Sequence, residues 1–203
     1  MTGWSRRSFL GAAALVAIHA AAPSGAEVLR RLDSDEEPPP HCRMLMRQVA
    51  DLVIPDTDTP GAGAIGVGDF VLVGLAHGLE GTRLPPKAEL AAAPSFAPYM
   101  RKDGSLDHAG WLEAKLGQDW LSQSPARREE ILVALDAAAF KGDPTAAPWR
   151  AIKALILTGY YTSEVGGSQE LNYELVPGRF DPKVPVKPDT RAYSSDWTAV
   201  DFG

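Results

Sequence analysis

The stretch Cys42-Arg43-Met44-Leu45-Met46-Arg47-Gln48-Val49-Ala50-Asp51-Leu52-Val53-Ile54-Pro55 places its apolar residues Leu45, Val49, Leu52 and Val53 at helical spacing. That spacing lines one face of an α-helix, and Pro55 stops it. Read outward from there, the chain repeats the same grammar. After a turn-rich stretch, Pro55 to Gly61, a mostly buried helix is expected over Asp69 to Leu79, with Phe70, Val71, Val73, Leu75 and Leu79. Gly81 to Pro98 reads as loop. Asp107 is placed to cap a helix carrying Trp111, Leu112, Leu116 and Trp120. Ser124-Pro125 is a stronger start, because proline at the first helical position loses no amide bond; Ile131, Leu132, Leu135 and Phe140 follow, and Gly142-Asp143-Pro144 stops the helix. A last helix, Pro148 to Thr158, presents Trp149, Ile152, Leu155 and Ile156 and ends near Gly159. No useful period-2 alternation interrupts the series, so an all-α fold is expected: a small helical domain over residues 42–162.

Past Tyr161 the character changes. Gly166-Gly167, Pro177-Gly178, Pro182, Pro185 and Pro188 break every potential helix, which makes residues 163–203 a long extended arm. The arm nevertheless keeps Leu171, Tyr173, Leu175, Val176, Phe180, Tyr193, Trp197, Val200 and Phe202, too much apolar surface for a solvated tail. It either wraps its own helices or docks on a partner through aromatic anchors.

At the other end, Ser5-Arg6-Arg7-Ser8-Phe9-Leu10 precedes the apolar run Gly11 to Ala22 and the small residues Ser24-Gly25-Ala26. These are the three parts of a secretory signal over residues 1–26. Arg6 and Arg7, with Phe9 and Leu10 behind them, narrow it to the twin-arginine route and predict a periplasmic protein. The run is shorter than the roughly 20 apolar residues needed to span a bilayer, and no later stretch is apolar enough, so no membrane span is expected after cleavage. Residues 27–41, charged and then prolyl through Pro38-Pro39-Pro40, read as a linker.

Removing residues 1–26 of 203 leaves 177 and takes away two arginines and no acid, moving the formal charge from −6 to −8. An acidic chain lacks the basic footprint that nucleic acid or an anionic membrane requires. The size fits one domain with a core of its own. Cys42 is the only cysteine, so no internal disulfide and no thiolate cluster can form. It is either a thiol behaving as a small apolar residue or one half of an intersubunit disulfide.

Motifs for chemistry are scarce. Gly61-Ala62-Gly63-Ala64-Ile65-Gly66 matches G-x-G-x-x-G, but a helix and a proline stop precede it where a dinucleotide fingerprint needs a β-strand. Asp56, Asp58 and Gly61 resemble the start of a calcium loop, yet Val67 stands where the bidentate glutamate belongs; the carboxylates are expected to bond turn amides. His41, His77 and His108 lie more than thirty residues apart and form no sequential ligand pair. Neither a catalytic residue nor a metal site is visible.

Two stretches carry a family resemblance. Met46 to Asp56, continued by Thr59-Pro60-Gly61-Ala62 and Val67-Gly68-Asp69-Phe70, looks like the N-terminal signature of the gluconate 2-dehydrogenase subunit 3 family. Gly159-Tyr160-Tyr161-Thr162-Ser163-Glu164-Val165-Gly166, with Gln169-Glu170-Leu171-Asn172-Tyr173 and Val176-Pro177-Gly178-Arg179-Phe180, looks like its C-terminal signature. The resemblance implies the small subunit of an FAD-dependent sugar or sugar-acid dehydrogenase. Its large subunit would be a flavoprotein of the glucose-methanol-choline type, often with a cytochrome c. FAD would then sit in the partner and no cofactor in this chain, whose role would be to stabilise the flavoprotein and carry it through the export route. Tyr160, Tyr161, Glu170, Leu171, Tyr173, Arg179 and Phe180 are the expected contacts with the large subunit. The rival expectations are a stand-alone periplasmic binding or scaffold module, and an autonomous enzyme built on His77, His108 and nearby carboxylates.

Overall fold

The computed structural model describes residues 38–173, 183–187 and 190–194. The signal residues Arg6, Arg7, Phe9 and Leu10, the start of the linker, Arg179, Phe180 and the side chain of Tyr173 lie outside what it describes, as do Leu175, Val176, Trp197, Val200 and Phe202.

The described residues are helical, as the patterning predicts. Helix α1 runs Pro40–Val53, α2 Val67–His77, α3 Ala88–Ala91, α4 His108–Leu116, α5 Pro125–Lys141 and α6 Trp149–Tyr161. None is long and apolar enough to cross a membrane. The first helix begins two residues before the expected start, because Pro39 is extended (φ −52°, ψ 148°) and Pro40 occupies the first helical position, where proline is pre-organised. Helix α5 begins as read: Ser124 Oγ accepts from the Arg127 amide at 3.3 Å, and Gly142 closes it in the left-handed region at φ 95°.

Three differences have specific structural causes. The expected helix through Trp120 breaks after Leu116, since Gly117 takes φ 97°, ψ 143°, and Trp120 opens a separate 3-10 turn. Asp107 precedes α4 without capping it through its side chain; its carboxylate accepts from Arg101 at 3.0 Å instead. Gly159 does not end α6 but lies inside it. A Cβ there would stand 2.5 Å from the Phe70 ring, so this glycine lets α6 approach α2 closely rather than stopping the helix. Short turns at Ala88–Ala91 and Ala97–Tyr99 also punctuate the expected loop.

The core joins α1 to α2, α2 to α6, and α6 to α5, with α4 against α1, α2 and α6. Trp111, Trp120 and Trp149 are fully buried, together with Met46, Phe96, Leu112, Ile152, Leu155, Ile156 and Tyr160. Each indole of this kind contributes on the order of 3–5 kcal/mol, judged by truncation. The Trp149 Nε1–H donates to Asp136 at 2.6 Å, and Lys153 pairs with the same oxygen at 2.7 Å, tying α6 to α5. Phe140, one of the apolar residues read along α5, is 58% exposed; Arg150 and Lys153 lie over its ring at 5.4 and 4.9 Å from the centroid, a cation–π cover that needs no burial.

Beyond α6 a π-helical turn, Gly166–Glu170, leads into a two-residue strand β1, Asn172–Tyr173. It pairs in parallel with β2, Tyr193–Ser194. A Cβ on Gly166 would fall 2.1 Å from the Tyr160 carbonyl oxygen, so the turn can close back on α6 only with glycine there.

Candidate functional site

The two stretches that carry the family resemblance are about a hundred residues apart in sequence, and the fold brings them together. Pro55 halts α1, and the following turn is fixed by the Gly61 amide donating to Asp56 Oδ1 at 2.6 Å and the Ala62 amide donating to the Ile54 carbonyl at 2.9 Å. This presents Thr59 and Pro60 to the end of α6. The Tyr160 hydroxyl lies 3.1 Å from the Pro60 carbonyl, to which it donates, and 3.2 Å from Thr59 Oγ1. Thr59 in turn donates to Glu170 Oε2 at 2.7 Å. A buried threonine therefore links the core tyrosine to the root of the arm.

A second tie lies outside it. Arg191 pairs with Asp58 at 2.9 Å and donates to the Gln169 carbonyl, while the Asn172 amide donates to the Ala192 carbonyl at 2.8 Å. The Arg191 hydrogen bond holds the Asp58 carboxyl below its ordinary value, helped by bonds from its own backbone and from Thr57. Both aspartates of the supposed calcium loop thus bond an amide or an arginine.

Of the expected partner contacts, Tyr160 is 1% exposed and packs in this chain's own core. Its neighbour Tyr161 is 40% exposed and stands edge-on to it, centroids 5.2 Å apart. Adjacent helix positions point about 100° apart, so one tyrosine of the pair faces in and the other out. Glu170 and Leu171 are half-buried at the arm's root. Val184, Val186 and Tyr193 on the arm are exposed, Val186 to 81%.

The glycines of the G-x-G-x-x-G stretch, and Gly68 beyond it, are set by packing. Cβ atoms on Gly61, Gly63 and Gly68 would meet the backbone of Ile54, Pro55 and Asp56, of Arg47, and of Arg47 again at 2.7–2.9 Å. These glycines let the loop and α2 close on α1. Only Gly66, at φ 83°, is glycine for its backbone angle.

His77 is exposed at the end of α2, and His108 opens α4 with Nδ1 3.0 Å from the Leu106 carbonyl. Burial pushes the His108 imidazole below its usual value. It borders a groove of about 780 Å³ between Leu84, Leu90, Phe96 and Pro144, a groove that His77 does not line.

His41 is different. With Cys42 in the first turn of α1 and Glu113 on α4, it forms a compact triad among the described residues. His41 Nε2 is 3.2 Å from both Glu113 oxygens, Cys42 Sγ is 3.5 Å from His41 Nε2, and the thiol points to Glu113 Oε2 at 3.9 Å. Burial, then the negative charges of Glu113 and Asp107, push the Cys42 thiol up to about 11, so it is neutral at pH 7. Sequence reading misses this cluster because 71 residues separate Cys42 from Glu113; the only local signal is the dipeptide His41-Cys42.

Residues 40–178 match the family described as Gluconate 2-dehydrogenase subunit 3. No curated protein and no solved structure gives a match. The matched span is well over half of the chain and contains all six helices, the Thr59 link and the arm's root. The chain belongs to the gluconate 2-dehydrogenase subunit 3 family and is therefore a subunit of a multi-subunit dehydrogenase complex.

Proposed function

We propose that this chain is the non-catalytic small subunit of a periplasmic, FAD-dependent sugar or polyol dehydrogenase, and that its arm grips a flavoprotein of the glucose-methanol-choline type. The observation that carries this reading is the arm's mode of attachment. Its root is pinned to the core by Thr59 and Glu170, yet it keeps Val184, Val186 and Tyr193 exposed, with Tyr161 exposed at the end of α6. A segment held by polar ties and apolar outward is suited to complete its burial on another chain, where aromatic anchors dominate the energetics. Arg6 and Arg7 support the second half of the role, in which the small subunit supplies the twin-arginine signal and the flavoprotein crosses with it as a folded complex. A cytochrome c would complete the electron path beyond the two subunits.

The test is co-expression of the tagged chain with a flavoprotein of the glucose-methanol-choline type from the same source. The yellow partner should copurify from the periplasm. Tyr161→Ala should weaken capture by about 2 kcal/mol, the usual cost of truncating a central aromatic anchor, and leave the melting of the isolated subunit nearly unchanged. Lysines at positions 6 and 7 should hold both chains in the cytoplasm with activity intact. A chain that leaves the periplasm alone, with no flavin-bearing partner, would overturn the reading.

A further inference from the structure

The triad at the start of α1 has the dimensions of a coordination site. A tetrahedral ion with bonds of about 2.3 Å to sulfur and about 2.0–2.1 Å to nitrogen and oxygen sets edges of about 3.5–3.6 Å from sulfur to the lighter ligands and about 3.3 Å between those two. The observed edges are 3.5 Å from Sγ to His41 Nε2, 3.9 Å from Sγ to Glu113 Oε2, and 3.2 Å from Nε2 to the carboxylate. Three atoms of different ligand chemistry thus stand almost where one face of such a tetrahedron requires them. An ordinary surface ion pair explains only the His41–Glu113 edge; it gives no reason for a thiol at the third vertex.

We propose that His41 Nε2, Cys42 Sγ and the Glu113 carboxylate bind one divalent cation of the zinc class. Sulfur and imidazole together select a borderline transition metal over calcium or magnesium, which take oxygen ligands. On binding, the Cys42 thiol gives its proton to solvent and the imidazole keeps its proton on Nδ1. One thiolate and one carboxylate then neutralise the ion's two positive charges. The site is anchored on two helices, α1 and α4, so the metal would clip them together. Two of the three ligands, His41 and Glu113, also border a pocket of about 350 Å³ with Leu45, Gln118 and Leu121, which leaves room for a water as fourth ligand. The site lies apart from the arm and does not depend on the flavoprotein reading.

Zinc titrated into the untagged, reduced mature chain against a chromophoric chelator should bind at one equivalent. Cobalt(II) in its place should show a thiolate-to-cobalt charge-transfer band and the strong visible bands of a tetrahedral ion. Cys42→Ser should abolish the charge-transfer band, and it, His41→Ala and Glu113→Gln should each weaken zinc by at least the 10–100-fold that loss of a mere supporting group costs; His77→Ala should change nothing. His41 is exposed and Cys42 and Glu113 are only half-buried, so the variants should keep the wild-type circular dichroism, and each is compared only when it does. Absence of one-equivalent binding, cobalt spectra without the sulfur band, or affinity unchanged in Cys42→Ser would overturn the proposal. So would a non-reducing gel of the purified complex in which Cys42 is already joined to the partner chain.

Discussion

Between Pro40 and Tyr161 the chain buries three tryptophans and a continuous apolar cluster. Among the described residues from Ser163 to Ser194, only Gly166 is buried. The first region is held by area removed from water, which is non-directional and spread over many side chains. The second is held by a few directional contacts: Thr59 with Glu170, Arg191 with Asp58 and Gln169, and a parallel pair of two-residue strands. Such contacts are individually modest in water. The arm is therefore placed by its own chain but not stabilised by it to the same degree, which is the physical condition for a segment that gains its remaining stability from a partner.

The contrast can be broken or sharpened by variants that touch one region at a time. The largest effect is expected in the core. Trp149→Ala removes a fully buried indole and its bond to Asp136, and should lower the stability of the isolated subunit by about 3–5 kcal/mol in urea unfolding. A loss below 1 kcal/mol would mean that the helices do not form the cooperative unit described above. A smaller and differently located effect is expected from Thr59→Val, which keeps the volume and deletes the hydroxyl joining Tyr160 to Glu170. The unfolding free energy should fall by only about 1 kcal/mol, while limited proteolysis after Ser163 accelerates several-fold. Equal cleavage rates in variant and wild type would show that the arm is held by something other than this threonine.

The smallest effect concerns acid. Because Asp58 titrates below its ordinary value in the folded chain, its pairing with Arg191 stabilises the arm above the unfolded carboxyl value of about 3.9 and is lost as pH falls through the lower folded value. Cleavage of the arm should therefore rise below about pH 4 in wild type and show no such step in Asp58→Asn, whose arm should be looser at neutral pH as well. The core melt should not track that step.

Much of the helical core is legible in the sequence, and the reasons are local. Ser124-Pro125 and Gly142 mark the ends of α5 through cap chemistry that acts within a few residues. The apolar faces of α1 and α6 repeat at a period that only a helix satisfies. The misreadings have a common cause, which is that the deciding neighbour lies outside the helix being read, whether near in sequence or far. Gly159 looks like a helix end until Phe70 of α2 is placed against it. Asp107 looks like a cap until Arg101 takes its carboxylate. Phe140 looks like core until Arg150 and Lys153 cover it from the next helix.

The candidate site divides along the same line. By itself the sequence determined the all-α class, the change of character after Tyr161 and the family, because composition, periodicity and motif spacing are properties of consecutive residues. Only the tertiary structure decided that Tyr160 faces inward and Tyr161 outward, that Thr59 meets Glu170, and that His41 and Cys42 lie against Glu113. Those outcomes depend on how α1, α4 and α6 are packed, and on contacts between residues 71 to 111 positions apart. Local propensity carries no information across such a distance; the relation exists only once the hydrophobic core has closed.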